Sequence, residues 1–375
     1  MLINRLIQPK IEKKMFKGKV IVIYGARQVG KTTLIKQIQA KNSEISAYFN
    51  CDESDVREAF SNTSSTAIKH FLGNKKLIFL DEAQRVENIG LTLKLIVDNF
   101  PEIQIIATGS SSFDLSNKII EPLTGRKYEF FLYPLAMKEL SQIYSSLELK
   151  RLLEQRIVFG MYPAVISSGQ EAAEILKNLA RSYSYKDVLN YQDIRNPEVL
   201  EKLLQALALQ IGNEVSYNEL GRLVGINRLT VQSYIKILEQ AFIIFKLRPL
   251  SRNPRKELGK LHKIYFVDTG IRNALINNLN PLNLRNDVGS LWENFWISER
   301  IKNNSFAGRD INTFFWRTYS HQEVDFVEEE NAKIFGFECK WNNLATPSVP
   351  GEWSKLYGKN SFNLIKPDVF IDSLY

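Results

Sequence analysis

Five short apolar runs punctuate the first third of the chain: KVIVIY (19–24), AYFN (47–50), KLIFLD (76–81), IQIIATG (103–109) and YEFFLY (128–133). They are continuous rather than alternating. Strands covered on both faces read this way, whereas half-solvated antiparallel strands alternate apolar and polar positions. Between them lie stretches such as LTLKLIVDNF (91–100), which have the length and apolar spacing of crossover helices. The pattern predicts a βαβ-type parallel sheet of about five strands, an α/β domain over residues 1–137.

Past Pro134 the texture changes. Residues 138–210 are helical in pattern, with few strand-like runs and a turn at GMYPA (160–164). Residues 214–245 read as helix, turn, helix and then the strand FIIF (242–245), and a further strand follows at KIYFVD (263–268). The polar segment NNLNPLNLRND (277–287) marks a candidate domain boundary. It divides a helical middle domain (138–280) from a last domain (281–375) with a helix at LWENFWISERI and strands around FFWRTY, EVDFVE and IFGFECKW. No internal repeat or low-complexity tract interrupts this order.

Composition narrows the function classes. With 375 residues, 44% hydrophobic and 24% charged, the chain builds sizeable cores and is not a disordered one. Lys plus Arg is 49 and Asp plus Glu is 41, so the net charge is 49 − 41 = +8. That excess permits a polyanionic partner without requiring one. Two cysteines, Cys51 and Cys339, and three histidines rule out a disulfide framework and a Cys/His-rich metal centre. The N-terminal stretch is broken by charges, and no apolar run approaches the ~18 residues that span a bilayer. The expectation is a cytoplasmic protein with no membrane partner.

One segment carries specific chemistry. Gly25, Ala26, Arg27, Gln28, Val29, Gly30, Lys31 and Thr32 fit G-x-x-x-x-G-K-[ST], with Thr33 following. The motif lies directly after the strand VIVIY and before the helical TTLIKQIQA. Glycines let the backbone wrap close to phosphates, with successive N–H groups and a helix N-terminus aimed at them. Lys31 then neutralises β/γ oxygens of ATP, and the Thr32 hydroxyl helps to hold Mg²⁺. The strand KLIFLD ends in Asp81, a second Mg²⁺ candidate, and Glu82 follows as the group that orients and deprotonates an attacking water. Thr108 and Ser110, ending IIATGSSS, are candidates for contact with the γ-phosphate or that water. Arg126 in LTGR is an arginine-finger candidate, toward its own or a neighbouring subunit's phosphate, which leaves a homo-oligomer open.

The order GARQVGKTT, LIFLDEAQ, IIATGSSS, LTGR and FFLYPL resembles the prokaryotic AAA+ ATPases related to the archaeal ATPases. In these an N-terminal nucleotide-binding module precedes a winged helix and a nuclease-like C-terminal region. The resemblance implies Lys31 and Thr32 on nucleotide and Mg²⁺, Asp81 on Mg²⁺, Glu82 as water activator and Ser110 as sensor.

Two later segments extend the picture. Ser216 and Glu219 fit a helix-capping pair, the helix YNELGRLV stops at Gly225, and a second helix begins near Asn227. This spacing matches a helix-turn-helix, with the strands at 242–247 and 263–267 as its wing. Within 246–263 lie Lys246, Arg248, Arg252, Arg255, Lys256, Lys260 and Lys263 against the single acid Glu257, a charge bias suited to DNA phosphates. A lid or protein-contact role is the alternative. In the last domain, folding a hairpin about Asn331/Ala332 sets Asp325 opposite Glu338, with Lys340 on the same face and Glu293 added from the upstream helix. This D…E-x-K spacing resembles the PD-(D/E)xK, restriction-endonuclease-like fold, with Val324 where proline is usual. The resemblance implies a Mg²⁺ site at Glu293, Asp325 and Glu338 with Lys340. A simple cross-strand Glu–Lys pair is the plainer alternative.

The leading expectation is therefore an α/β protein with a P-loop ATPase domain, a winged-helix middle and a nuclease-like end. Such a protein hydrolyses ATP with Mg²⁺ and couples it to an effector region touching DNA. A nucleotide-gated, Mg²⁺-dependent DNA nuclease and a slow ATP-binding switch that docks a protein partner are the alternatives.

Overall fold

In the computed structural model the five apolar runs are strands: β1 (Val20–Tyr24), β2 (Ser46–Asn50), β3 (Leu77–Asp81), β4 (Gln104–Gly109) and β5 (Lys127–Phe131). The structure describes residues 3–109, 119, 122–182, 196–251, 261–342, 344, 346 and 348–375. The five strands pair in parallel in the order β2-β3-β4-β1-β5. The three inner strands are buried at every position, which is why they read as unbroken apolar runs, while the edge strands β2 and β5 are only partly buried. Among the described residues, helices α1 (Gln8–Lys14), α2 (Lys31–Lys41), α3 (Ser54–Phe60), α4 (Ser65–Leu72) and α5 (Ile89–Asn99) belong to this part. Because β4 lies between β1 and β3, the C-terminal ends of these three strands are neighbours.

The chain divides into two compact units: Asn4–Pro134 with Gln240–Phe242, and Leu135–Glu239 and Ile243–Tyr375 with Met1–Ile3. The second begins with helices α6 (Met137–Leu140), α7 (Ser146–Phe159), α8 (Pro163–Ser167), α9 (Ala172–Ser182) and α10 (Pro197–Leu209). After the short strand β6 (Glu214–Val215) come α11 (Tyr217–Val224) and α12 (Arg228–Gln240). The Ser216 hydroxyl caps α11 by accepting from the Glu219 N–H at 3.4 Å, and Gly225 ends it in the left-handed conformation (φ 77°). The strands β7 (Ile244–Pro249) and β8 (His262–Phe266) then pair antiparallel.

These two strands do not stand apart from the last part of the chain. That part holds α13 (Thr269–Leu275), α14 (Val288–Ala307), β9 (Asn312–Arg317), β10 (Glu323–Glu330), β11 (Lys333–Cys339), α15 (Gly351–Tyr357), β12 (Phe362–Ile365) and α16 (Pro367–Asp372). β7 pairs in parallel with β9, Arg248 opposite Phe314, and one sheet runs β12-β11-β10-β9-β7-β8-β6. The second edge of β7 is thereby covered, which removes an open row of backbone donors and acceptors. The β10–β11 hairpin turns at Asn331 and Ala332, both left-handed (φ 51° and 62°), with Glu330 opposite Lys333. Gly336 admits the wholly buried Trp353, since a Cβ there would lie 2.5 Å from its ring.

The polar segment at 277–287 runs within the second unit, tied down by ionic contacts. Arg272, on α13, donates to the Ala208 carbonyl (2.7 Å) and to the Asp287 carboxylate (2.5 Å). Arg285, its side chain wholly buried, donates to both Asp287 oxygens (2.9 and 2.8 Å) and to the Asn278 carbonyl (2.5 Å). Burial alone would push the Asp287 carboxyl up, but the two guanidiniums outweigh it and hold it at about 2. A folded value below the unfolded one gives stability that is present above about pH 4 and is lost as pH falls toward 2. The urea midpoint of the second unit is expected to drop over that window. In Asp287→Asn it should start lower at pH 7 and fall less steeply.

Candidate functional site

The first unit places the phosphate-binding motif at the C-terminal end of β1. Gly25 is pressed against the chain after β5, where a Cβ would meet the Leu132 carbonyl oxygen at 2.2 Å. Gln28 and Gly30 take left-handed conformations (φ 60° and 99°) that fold the loop back before α2 starts at Lys31. Ala26 and Val29 are buried, Arg27 is partly exposed, and Gln28 and Thr33 are exposed. Lys31 is 5% exposed, and its ammonium donates to the Gly25 and Ala26 carbonyls, both at 2.9 Å.

Asp81 ends β3 beside this loop. The Thr32 hydroxyl donates to its Oδ2 at 2.7 Å and the Tyr48 hydroxyl to the same oxygen at 2.8 Å. Thr108, wholly buried at the end of β4, donates to Oδ1. Three hydroxyls from three elements thus hold one carboxylate that is 3% exposed. Burial pushes the Tyr48 phenol up, and Asp81 adds to the effect. Glu82 follows in the left-handed conformation (φ 55°), its N–H on the Thr108 hydroxyl (3.2 Å) and its Oε2 accepting from the Gln84 amide (2.5 Å). Thr32 and Asp81 therefore meet directly, with Lys31 and Glu82 beside them in the chain, while Thr108 serves Asp81.

Other expected residues fall elsewhere. Ser110 lies outside the described residues. Arg126 precedes β5, whose first residue faces Val20 at the start of β1, and the Arg126 carbonyl accepts from the Val20 N–H. Its side chain pairs with Asp98 at 2.7 Å. In parallel strands that is the end opposite the phosphate loop, roughly 16 Å away along a five-residue strand. Arg126 does not reach its own chain's loop.

Two contributors carry no local sequence signal. Tyr48 becomes visible only once β2 and β3 are in register, with Asn50 opposite Asp81. Arg5, 6% exposed, donates to the Val29 carbonyl inside the loop and to the Tyr133 carbonyl, each at 2.7 Å.

The second unit gathers the C-terminal acids around an unexpected group. Lys263, expected in the solvated basic stretch, is 2% exposed. Its ammonium lies 3.4 Å from Glu293 and in closer contact with Glu323. Tyr265, also wholly buried, donates to the same Glu293 oxygen at 2.5 Å. Asp325 accepts from the Cys339 N–H at 2.8 Å, and Glu338 pairs with Lys340 at 2.6 Å. Burial would lower Lys263, but Glu293, Asp325 and Glu323 outweigh it and raise it. Burial and the neighbouring Glu293 and Glu338 push Asp325 well up. Among the described residues no group of three or more His, Cys, Asp or Glu is placed to hold a metal ion, and the acids Glu293, Asp325 and Glu338 are instead engaged by Tyr265, Lys263, the Cys339 N–H and Lys340. Of the remaining cations in 246–263, Lys246 pairs with Glu239 at 2.7 Å and the exposed Arg248 lies over the Phe314 ring. Arg252, Arg255, Lys256 and Lys260 lie outside the described residues.

Comparison with known proteins agrees with the first unit. Residues 17–141 match a family described as AAA domain, and residues 150–282 and 288–370 match two domains of unknown function (DUF8612 and DUF4143). An uncharacterized protein of Methanocaldococcus jannaschii is 28% identical over 344 residues, covering 86% of this chain and 75% of the relative. One from Mycobacterium tuberculosis is 25% identical over 346 residues, covering 91% and 74%. A solved Walker-type ATPase of Pyrococcus abyssi superposes with a TM-score of 0.51 at 15% identity, over 73% of this chain and 96% of that one. Residues 17–141 thus carry an AAA domain, and the chain shares its fold with that Walker-type ATPase. No helix among the described residues is long and apolar enough to cross a membrane.

The Arg5 clamp yields a stability test. Arg5→Met leaves the Val29 and Tyr133 carbonyls without a charged donor and is expected to cost about 2–4 kcal/mol, read as a lower urea midpoint of the first unit.

Proposed function

We propose that the first unit binds ATP with Mg²⁺ and hydrolyses it, with the second unit as effector. The observation that carries this is the 2.7 Å hydrogen bond between Thr32 and Asp81, which brings the phosphate loop and the end of β3 to one point. Lys31, now on two loop carbonyls, would exchange them for the β/γ oxygens and offset their charge. One hydroxyl and one carboxylate suit Mg²⁺, which takes one or two carboxylates and completes its shell with water and phosphate oxygens. Thr32 and Asp81 would hold it, and when bound it supplies further neutralisation of phosphate charge. Glu82, oriented by its backbone and by Gln84, accepts a proton from the water that attacks the γ-phosphorus, as the bond to the ADP oxygen breaks. Ser110 stays with this reading as sensor. Arg126 stays only as a finger offered to a second copy, which makes a homo-oligomer part of the proposal.

Lys31→Ala is expected to abolish nucleotide binding or turnover. Glu82→Gln should keep binding a fluorescent ATP analogue yet show phosphate release slower by roughly 10²–10⁴-fold. Wild-type turnover in purified Glu82→Gln would remove Glu82 from the mechanism.

The proposal also includes contact between the stretch 246–263 and DNA phosphates, in the cytoplasm. It is narrowed to Arg248 and the four cations between 252 and 260, since Lys246 and Lys263 are engaged by acids. Changing Arg252, Arg255 and Lys256 to Glu should weaken DNA binding regardless of sequence. It should also flatten the salt dependence in an anisotropy titration, by about one unit of slope for each phosphate the protein ceases to neutralise. Unchanged binding would move this region to protein contact.

A further inference from the structure

The acids that the nuclease resemblance points to already have partners, and some of those partners come from β8. A hard divalent ion needs several carboxylate oxygens free to converge on one point. Here Glu293 Oε1 takes the Tyr265 hydroxyl and the Lys263 ammonium, and Glu323 takes the same ammonium. Asp325 Oδ2 takes the Cys339 N–H, and Glu338 Oε1 takes Lys340. Lys263 is 2% exposed and lies 5.6 Å from the Phe315 ring centre. A buried ammonium in such surroundings survives only where acids compensate for its missing water.

We infer that Lys263 is the resident cation of this cluster. It stands in for a divalent ion, links β8 to α14 and β10, and keeps the cluster closed to metal. One ammonium between Glu293 and Glu323, even with the Arg317 guanidinium 3.9 Å from Glu323, leaves more acids than cations in the cluster. A metal entering here would have to displace an ammonium from its acids and leave it buried. With Lys263 removed the argument reverses: the surplus grows, and Glu338 Oε2, buried without a hydrogen-bond partner, becomes a further donor for an entering ion.

The test is thermal unfolding of the full nucleotide-free chain with and without Mn²⁺, in wild type, Lys263→Met, Lys263→Met/Glu293→Gln and Asp325→Asn. Wild type should show no Mn²⁺-dependent rise that Asp325→Asn abolishes. Lys263→Met should unfold roughly 10 °C lower and regain part of that drop on adding Mn²⁺. The double variant should recover stability without metal and respond less to it. If Lys263→Met does not fold but the double variant does, the charge argument stands. A wild-type Mn²⁺ shift that disappears in Asp325→Asn would overturn the inference. So would a Lys263→Met variant as stable as wild type, or a double variant no better than the single.

Discussion

The first unit is organised around one buried carboxylate. Asp81 is held by Thr32, Tyr48 and Thr108, which arrive from α2, β2 and β4. A buried acid is tolerable only if its oxygens are hydrogen-bonded, and these three donors satisfy it without cancelling its charge. They meet only because the parallel order sets β3 between β2 and β4, and β4 beside β1. The loop after β1 is then one strand away, near enough for the first turn of α2 to touch Asp81. Moving any of these strands would undo the contact between Thr32 and Asp81, and with it the meeting of loop and acid.

The second unit solves a similar problem in the opposite way. Its acids also crowd at the end of a helix and on adjoining strands, but a lysine is built in among them. Hydroxyl donors leave a carboxylate still in want of a cation, whereas an ammonium satisfies that want internally. Two clusters of similar residue types therefore differ in what they are prepared to bind. That difference rests on one side chain at the edge of a basic run.

Much of the first unit is legible along the chain because its determinants are local. The loop motif lies in eight consecutive residues, Asp81 and Glu82 are adjacent, and doubly covered strands announce themselves as unbroken apolar runs. Tyr48 and Arg5 are not legible, since their partners are fixed by strand register and by the packing of a segment ahead of β1. The placement of Arg126 follows from strand polarity, which spacing along the chain does not reveal. Lys263 departs from expectation because a run of cations suggests a solvated face. Yet Lys263 and Tyr265 sit two apart on β8 and share one face of the sheet, the face that meets Glu293. The hairpin register about the turn at Asn331 and Ala332 is readable by arithmetic, and Phe326 opposite Phe337 keeps it, next to Asp325 and Glu338.

The continuous sheet of the second unit bears on what the basic stretch can do. Its first residues belong to β7, which is pinned along one edge by β9 and along the other by β8. Its last, Lys263, belongs to β8 and is clamped by Glu293 and Glu323. Both ends of the stretch are therefore anchored in the sheet that carries the acid cluster, and the charge of Lys263 is spent on that anchorage.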